Sequence, residues 1–411
     1  MDRTFRSVVV CLLLAFSSAV LAVPRYTVTQ LPTVNGVSLS PTCLSTSGTV
    51  AGTTSDGRTF VYSPSIGTKF IEPPAGYTSI TPRAVNESGE VVGYFQNGPY
   101  DAGHSFVYRP GNGVVELTAP AGVRNVACGI NNHGLVVGYC AERYGYALST
   151  YSATTSGAMT ELGVLDGYQE MGTMAINNSG VMLRSSQRYA CDGWGNEILE
   201  PDVFLSSQGR MDDMNSASEI SDFEPGLTHR ILSANDINSG GQIVGMLGSY
   251  YTEWGDPGIG LGCIGGDGRL TYDPVRAFLY TPGSAPVELG LLPGYGSFSE
   301  AMGVNDLGQV VGYSEFESCP LGDASAAFLY CDGQMYELAS LLDGNAQGWM
   351  LTEARAINNK GQIIAYASRR AGGDWASGTF LLTPVPEPSS LLALLSGFTM
   401  MPALLKRKRA A

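Results

Sequence analysis

The sequence predicts an all-β fold, a seven-bladed β-propeller of four-stranded antiparallel blades closed by an N-terminal strand that joins the last blade. Three observations lead there. First, the 411-residue chain has 53 Gly and is 44% apolar but only 15% charged, a balance that suits short strands and tight turns and is too apolar for a disordered chain. Second, one unit recurs seven times between residues 23 and 384. Third, the last unit lacks its final strand, and the N-terminal segment carries the matching pattern.

The repeated unit is clearest as AMGVNDLGQVVGYS at 301–314, and its central Gly falls at Gly48, Gly89, Gly134, Gly180, Gly241, Gly308 and Gly361. The mean period is about 52 residues, in the range of propeller blades. Four residues before each Gly stands an apolar residue: Leu44, Val85, Ile130, Ile176, Ile237, Val304 or Ile357. Three before it stands Asn86, Asn131, Asn177, Asn238, Asn305 or Asn358, with Ser45 in the first copy. Asn-x-x-Gly between apolar runs predicts a hairpin, because Asn bonds its own backbone and Gly accepts positive φ. Calcium ligation by these turn residues is a second reading, but the turn already accounts for both residue types. Four after the turn come Gly52, Gly93, Gly138, Gly245 and Gly312, with Arg184 and Ala365 as the exceptions. Glycine inside a strand predicts a bulge or a close backbone approach.

Two strands follow each hairpin. The third is centred on Phe60, Phe106, Phe204, Phe278, Phe328 or Phe380, with Leu148 assigned that slot in the third unit. The fourth pairs an acidic with an apolar residue, as in Glu116-Leu117, Glu161-Leu162, Asp213-Met214, Glu288-Leu289 and Glu337-Leu338, and more weakly in Glu72-Pro73. The acidic side chains there suit an outer strand that faces water and resists edge-to-edge pairing. Gln30-Leu31 fits the slot missing after Phe380, so residues 26–32 are expected to complete the seventh blade and close the ring. An open β-solenoid is the alternative; the unequal spacings between units suit it less well, since coils of a solenoid vary little in length.

These repeats resemble the HAF family of bacterial extracellular proteins, through His104-Ser105-Phe106, Arg276-Ala277-Phe278 and Ala326-Ala327-Phe328. The resemblance covers nearly all of residues 26–383, and it implies an extracellular repeat protein without supplying catalytic residues.

The ends read as addresses. Residues 1–22 join Arg3 and Arg6 to an apolar run and finish in Val20-Leu21-Ala22, the pattern of a secretory signal peptide cut after Ala22. Residues 385–411 contain Pro386-Glu387-Pro388, an apolar stretch from Leu391 to Leu405, then Lys406, Arg407, Lys408 and Arg409. A span that short is marginal as a transmembrane helix, and the basic cluster would hold its end on the cytoplasmic side. The segment resembles the PEP-CTERM sorting signal, which implies transient membrane anchoring and an exosortase-type processing enzyme as partner. The expected location is the cell surface or the extracellular space.

Without those ends, 35 acidic side chains face 17 basic ones. Such a body repels phosphate backbones, so nucleic acid is not expected as a partner. Seven cysteines remain outside the signal peptide, and an oxidising compartment predicts disulfides. Cys128 with Cys140, Cys191 with Cys263, and Cys319 with Cys331 are the candidate pairs, leaving Cys43. No CxxC spacing points to zinc, no cofactor is expected, and His104, His133 and His229 have no catalytic motif around them. Residues 185–202 and 246–275 read as long insertions between the second and third strands of adjacent blades. Their Tyr189, Trp194, Tyr250, Tyr251, Trp254 and Tyr272 stand beside carboxylates. They are candidates to stack on sugar faces, although packing onto the blade tops explains them too. The expected function is therefore non-enzymatic binding of a surface or matrix component such as exopolysaccharide. A polysaccharide lyase or hydrolase on the same scaffold, or a purely structural envelope protein, are the alternatives.

Overall fold

The computed structural model describes residues 23–386, apart from 33–36, 99–102, 119–123, 142–146, 158, 164–168, 192–196, 208–209, 215–229, 249–274, 297, 316–324, 345–347 and 372–373. Its sheets are seven and each has four antiparallel strands. Blade 1 holds β2 (Leu39–Leu44), β3 (Val50–Thr54), β4 (Thr59–Ser63) and β5 (Gly67–Ile71). Blade 2 holds β6 (Ser79–Val85), β7 (Val91–Gln96), β8 (His104–Arg109) and β9 (Gly113–Glu116). Blade 3 holds β10 (Arg124–Ile130), β11 (Leu135–Ala141), β12 (Ala147–Thr154) and β13 (Met159–Gly163). In blade 4 come β14 (Gln169–Ile176), β15 (Met182–Cys191), β16 (Glu197–Ser207) and β17 (Arg210–Asp213). Blade 5 follows with β18 (Arg230–Ile237), β19 (Ile243–Gly248), β20 (Arg276–Tyr280) and β21 (Val287–Gly290). Blade 6 has β22 (Phe298–Val304), β23 (Val310–Glu315), β24 (Ser325–Cys331) and β25 (Gln334–Glu337).

Blade 7 closes the circle. Its strands β26 (Met350–Ile357), β27 (Ile363–Ala371) and β28 (Asp374–Pro384) are completed by β1 (Tyr26–Gln30), which pairs with β28 from Tyr26↔Pro384 to Gln30↔Phe380. Gln30 thus occupies the slot that Glu116 fills opposite Phe106 and Glu337 fills opposite Phe328. Each innermost strand packs on that of the next blade, and β2 packs on β26. Tyr26, fully buried, joins Leu338, Leu342, Leu351 and Leu382 in the core of this junction. The closure expected from the bookkeeping of strands is therefore the one observed.

The repeat pattern becomes structure through two local rules. The seven turn glycines all have positive φ, between 72° and 88°, as an Asn-x-x-Gly turn requires. In every blade, the innermost strand carries a β-bulge at the residue six before that glycine: Thr42, Arg83, Cys128, Met174, Asn235, Met302 and Arg355. The bulge pushes a carbonyl toward the second strand, which explains the strand glycines. A Cβ at Gly52, Gly93, Gly138, Gly245 or Gly312 would overlap the carbonyl oxygen of Ser40, Thr81, Val126, Ser233 or Glu300. Where the glycine is replaced, by Arg184 and Ala365, the facing strand has a second bulge; β18 also has one, with Gly245 retained.

Three expectations need correction. Tyr151, not Leu148, holds the aromatic slot of blade 3: it pairs with Gly138 as Phe106 pairs with Gly93, and its hydroxyl bonds Ser105 Oγ at 2.7 Å. The run 185–202 is mostly not a loop. The strands β15 and β16 stay paired out to Cys191↔Glu197, because residue types such as Tyr189, Ile198 and Leu199 extend a ladder rather than end it. Glu72 does not face the aromatic of its blade; Phe70 pairs with Phe60, and Ile71 fills the apolar slot.

Candidate ligand-binding channel

The innermost strands surround a channel, and the bulges decide which side chains enter it. A bulged residue leaves the ladder and is re-aimed. Thr42, Arg83, Cys128, Asn235, Met302 and Arg355, one from each of six blades, line an axial cavity of about 250 Å³. Position by position the frame is repeated, whereas this site holds five residue types in seven copies. That variation is a signal visible in the sequence, but its meaning depended on the bulge.

Two clips fix the cations of the channel. Arg83 lies over the Tyr94 ring at 5.6 Å, and Arg355 lies over Tyr366 at 5.5 Å. In both, the tyrosine follows the residue that faces the bulge in the second strand. Such contacts hold a guanidinium at little cost to its charge. Arg355 is also paired with Glu353 at 2.6 Å, whereas Arg83 forms no ion pair among the described residues. Blade 1, which lies between blades 7 and 2, has the short Thr42 at the bulge, with Cys43 and Leu44 beside it in the lining. The opposite wall has Asn235 and Asp236. Asn235 Nδ2 donates to Glu300 Oε1 at 2.9 Å and to the Ala301 carbonyl at 2.8 Å.

Asp236 stands where the other blades have Cys43, Ala84, Gly129, Ala175, Gly303 and Ala356. Its carboxylate accepts from the Ile237 N–H at 2.8 Å and from the Val304 N–H of blade 6 at 3.0 Å. Burial nevertheless pushes its carboxyl up to about 6, these two hydrogen bonds working against the rise and Asp306 adding to it. An unfolded aspartate titrates near about 3.9, so the folded chain takes up a proton first as pH falls. Its contribution to stability is accordingly greatest below about 4 and shrinks as pH climbs to about 6. Asp236→Ala is expected to flatten that segment of the stability profile; urea midpoints from pH 4 to 7.5 measure it. A profile unchanged by the substitution would remove Asp236 from the account.

One mouth of the channel is built from the turns. In five of the six turns the Asn Oδ1 accepts from two N–H groups of its own turn, as Asn305 does from Leu307 at 3.1 Å and Gln309 at 3.0 Å, while Asn238 accepts from Gln242 at 2.9 Å. Each Asn Nδ2 then donates to the carbonyl of the equivalent residue in the next blade. Asn86 donates to Asn131, Asn131 to Asn177, Asn177 to Asn238, Asn238 to Asn305, Asn305 to Asn358, and Asn358 to Ser45, at 2.9–3.3 Å. The following residues add a second set of links: the N–H of Glu87 donates to Asn132 Oδ1, that of Ser239 to Asp306, and that of Asp306 to Asn359. The repeated Asn is thus both a turn former and an inter-blade staple. The sequence reading assigned only the first role, because the second needs the ring.

The other candidates are placed as follows. Tyr189 lies on β15 opposite Leu199. Trp194, Tyr250, Tyr251, Trp254, Tyr272, Cys263 and Cys319 lie outside the described residues, as do His229, Glu387, Pro388 and Lys406–Arg409; Pro386 is the last described residue. The disulfide expected between Cys128 and Cys140 does not form: both are free thiols, as are Cys43 and Cys331. The bulge turns Cys128 to the channel, while Cys140 packs in the core beside Val107 and Leu117. Burial pushes the Cys128 thiol up to about 11, with Arg83 opposing. Cys191 belongs to β15. His104 bonds Glu116 at 3.0 Å and stacks on Phe95. Among the described residues, no group of three His, Cys, Asp or Glu is arranged for a metal ion, and no helix is long and apolar enough to cross a membrane.

One exposed aromatic was missed. Trp375 of β28, 53% exposed, pairs with the exposed Arg370 of β27. Both strands extend past the usual blade length on the side of the second-to-third connections, as β15 and β16 do.

No family model matches the chain, and no curated protein matches it. Among solved structures, a streptogramin B lyase aligns over 88% of this chain and 98% of its own, at 10% identity and a TM-score of 0.46. Virginiamycin B lyase from Staphylococcus aureus aligns over 88% and 99%, at 12% identity and 0.45. The β-propeller domain of the trilobed protease from Pyrococcus furiosus aligns over 85% and 98%, at 10% identity and 0.44.

Proposed function

We propose that this propeller is an exported, non-enzymatic binding protein of the cell surface or extracellular matrix, with a neutral exopolysaccharide as its ligand. In this reading residues 1–22 direct export. The tail from 385 to 411 anchors the chain transiently until an exosortase-type enzyme processes it. The supporting observation is Trp375, an exposed indole beside Arg370 on the face where the second-to-third connections emerge. Gly248, where β19 ends, and Arg276, where β20 begins, lie at that same end of blade 5. Flat aromatic surfaces on rigid β-arms suit the apolar faces of sugars. The excess of acidic side chains favours neutral over anionic polymers.

The test is sedimentation of the exported chain with insoluble neutral and acidic polysaccharides, with reducing ends assayed in the supernatant. Retention on a neutral polymer, weakened at least fivefold by Trp375→Ala and without release of reducing ends, is the expected result. Absence of retention, or release of oligosaccharide, would overturn the reading.

A further inference from the structure

The axial cavity is a separate matter from the outer face, and its chemistry differs. We propose that it is a binding site for a small hydroxylated monocarboxylate, of the size and class of a single sugar acid. Although the chain carries a formal charge of −14, two guanidinium groups line this one cavity, and Arg83 has no carboxylate partner among the described residues. An arginine clipped to a tyrosine but left without a counter-ion is pre-organised for one, and its planar fork matches a carboxylate.

The order of the blades gives the position. Arg355 in blade 7 and Arg83 in blade 2 flank blade 1, where the bulged residue is only Thr42, so the space between the two cations is left open. The facing wall is polar and partly acidic, with Asn235 and Asp236. A carboxylate directed toward blade 1 would leave the hydroxyl end of the same molecule against that wall. Net charge sets the class. Asp236 lines the cavity and Glu353 is paired with Arg355, so the positive charge left over suits a monoanion better than a dianion such as phosphate. Size sets the limit: about 250 Å³ holds one sugar ring, and is below the range that takes drug-sized ligands. A polymer could offer only its end.

Calorimetric titration of the full chain with glucuronate, glucose and inorganic phosphate tests the site. Glucuronate is expected to bind at least tenfold more tightly than either of the others. Arg83→Gln should weaken it at least tenfold and Arg83→Lys less, with thermal unfolding confirming that both variants fold. Arg25→Gln, at the exposed rim, should leave it unchanged. No glucuronate binding, phosphate binding as tight as glucuronate, or indifference to Arg83→Gln would each overturn the proposal. None of these outcomes bears on retention by polysaccharide through Trp375, so the two readings stand or fall separately.

Discussion

Gly312→Ala is expected to destabilise the protein by about 3–4 kcal/mol, a large effect for one methyl group. The added carbon would overlap the Glu300 carbonyl and stand 2.8 Å from the Phe328 ring. The ring can shift, but the carbonyl belongs to the strand that bears the Met302 bulge. Relief therefore requires moving backbone in the middle of blade 6. Blade 7 shows what accommodation looks like: Ala365 occupies the equivalent site, and β26 carries an additional bulge between Leu351 and Glu353. Ala365→Gly should consequently change stability by less than about 1 kcal/mol, the intrinsic cost of glycine in a strand. Denaturant unfolding of the two variants measures both effects. Equal, small losses would show that the glycines have no steric purpose.

The second large effect concerns the staples at the channel mouth. Asn305→Ala removes the acceptor for two N–H groups of its turn, together with the donors to Gln309 Oε1 at 2.7 Å and to the Asn358 carbonyl at 3.2 Å. The site is 2% exposed, so water cannot replace all of these bonds. A loss of about 3 kcal/mol is expected, since each buried group left unpaired costs about 1 kcal/mol or more. Blade 1 supplies the converse. Ser45 Oγ accepts the Thr49 N–H at 3.2 Å but is too short to reach blade 2. Ser45→Asn would add the missing link to the Asn86 carbonyl and is expected to stabilise by about 1 kcal/mol. Melting temperatures should move in opposite directions for these variants; movement in the same direction would contradict the staple.

The fold was legible because its rules are local and repeated. The Asn-x-x-Gly turn, the strand glycine and the Phe centre each depend on neighbouring residues, and recurrence in five or six of the seven units separates them from chance. Strand bookkeeping then located Gln30 opposite Phe380. The sequence misleads where one copy departs from the frame. Leu148 has the apolar character of the third-strand slot, whereas Tyr151 meets Gly138 in register. The long β15–β16 arm looks like a loop in the sequence because its residues lie outside the repeat.

The candidate site was much less legible, for a physical reason. Whether position 83 or 355 points to solvent, to a core or to an axis depends on a bulge and on six other blades. Neither appears in a local window. Cys128 illustrates the point: its spacing from Cys140 suggested a disulfide, but the bulge faces it to the channel, away from the core in which Cys140 packs. The double use of Asn305 was hidden in the same way. Its turn role is local, and its bond to Asn358 exists only when neighbouring blades stand side by side.

The junction of β1 with β28 is the most direct test of the ring. Thr27 and Thr383 are register partners, and Thr27 Oγ1 donates to the Thr383 carbonyl at 3.1 Å. Antiparallel partners of this kind stand about 5.5 Å apart at Cα, within disulfide reach. In the chain carrying Thr27→Cys and Thr383→Cys, mild oxidation should give a peptide that links the two ends, found by mass after proteolysis, and a higher unfolding midpoint. Two reactive thiols and no linked peptide in the folded chain would mean that the circle is open.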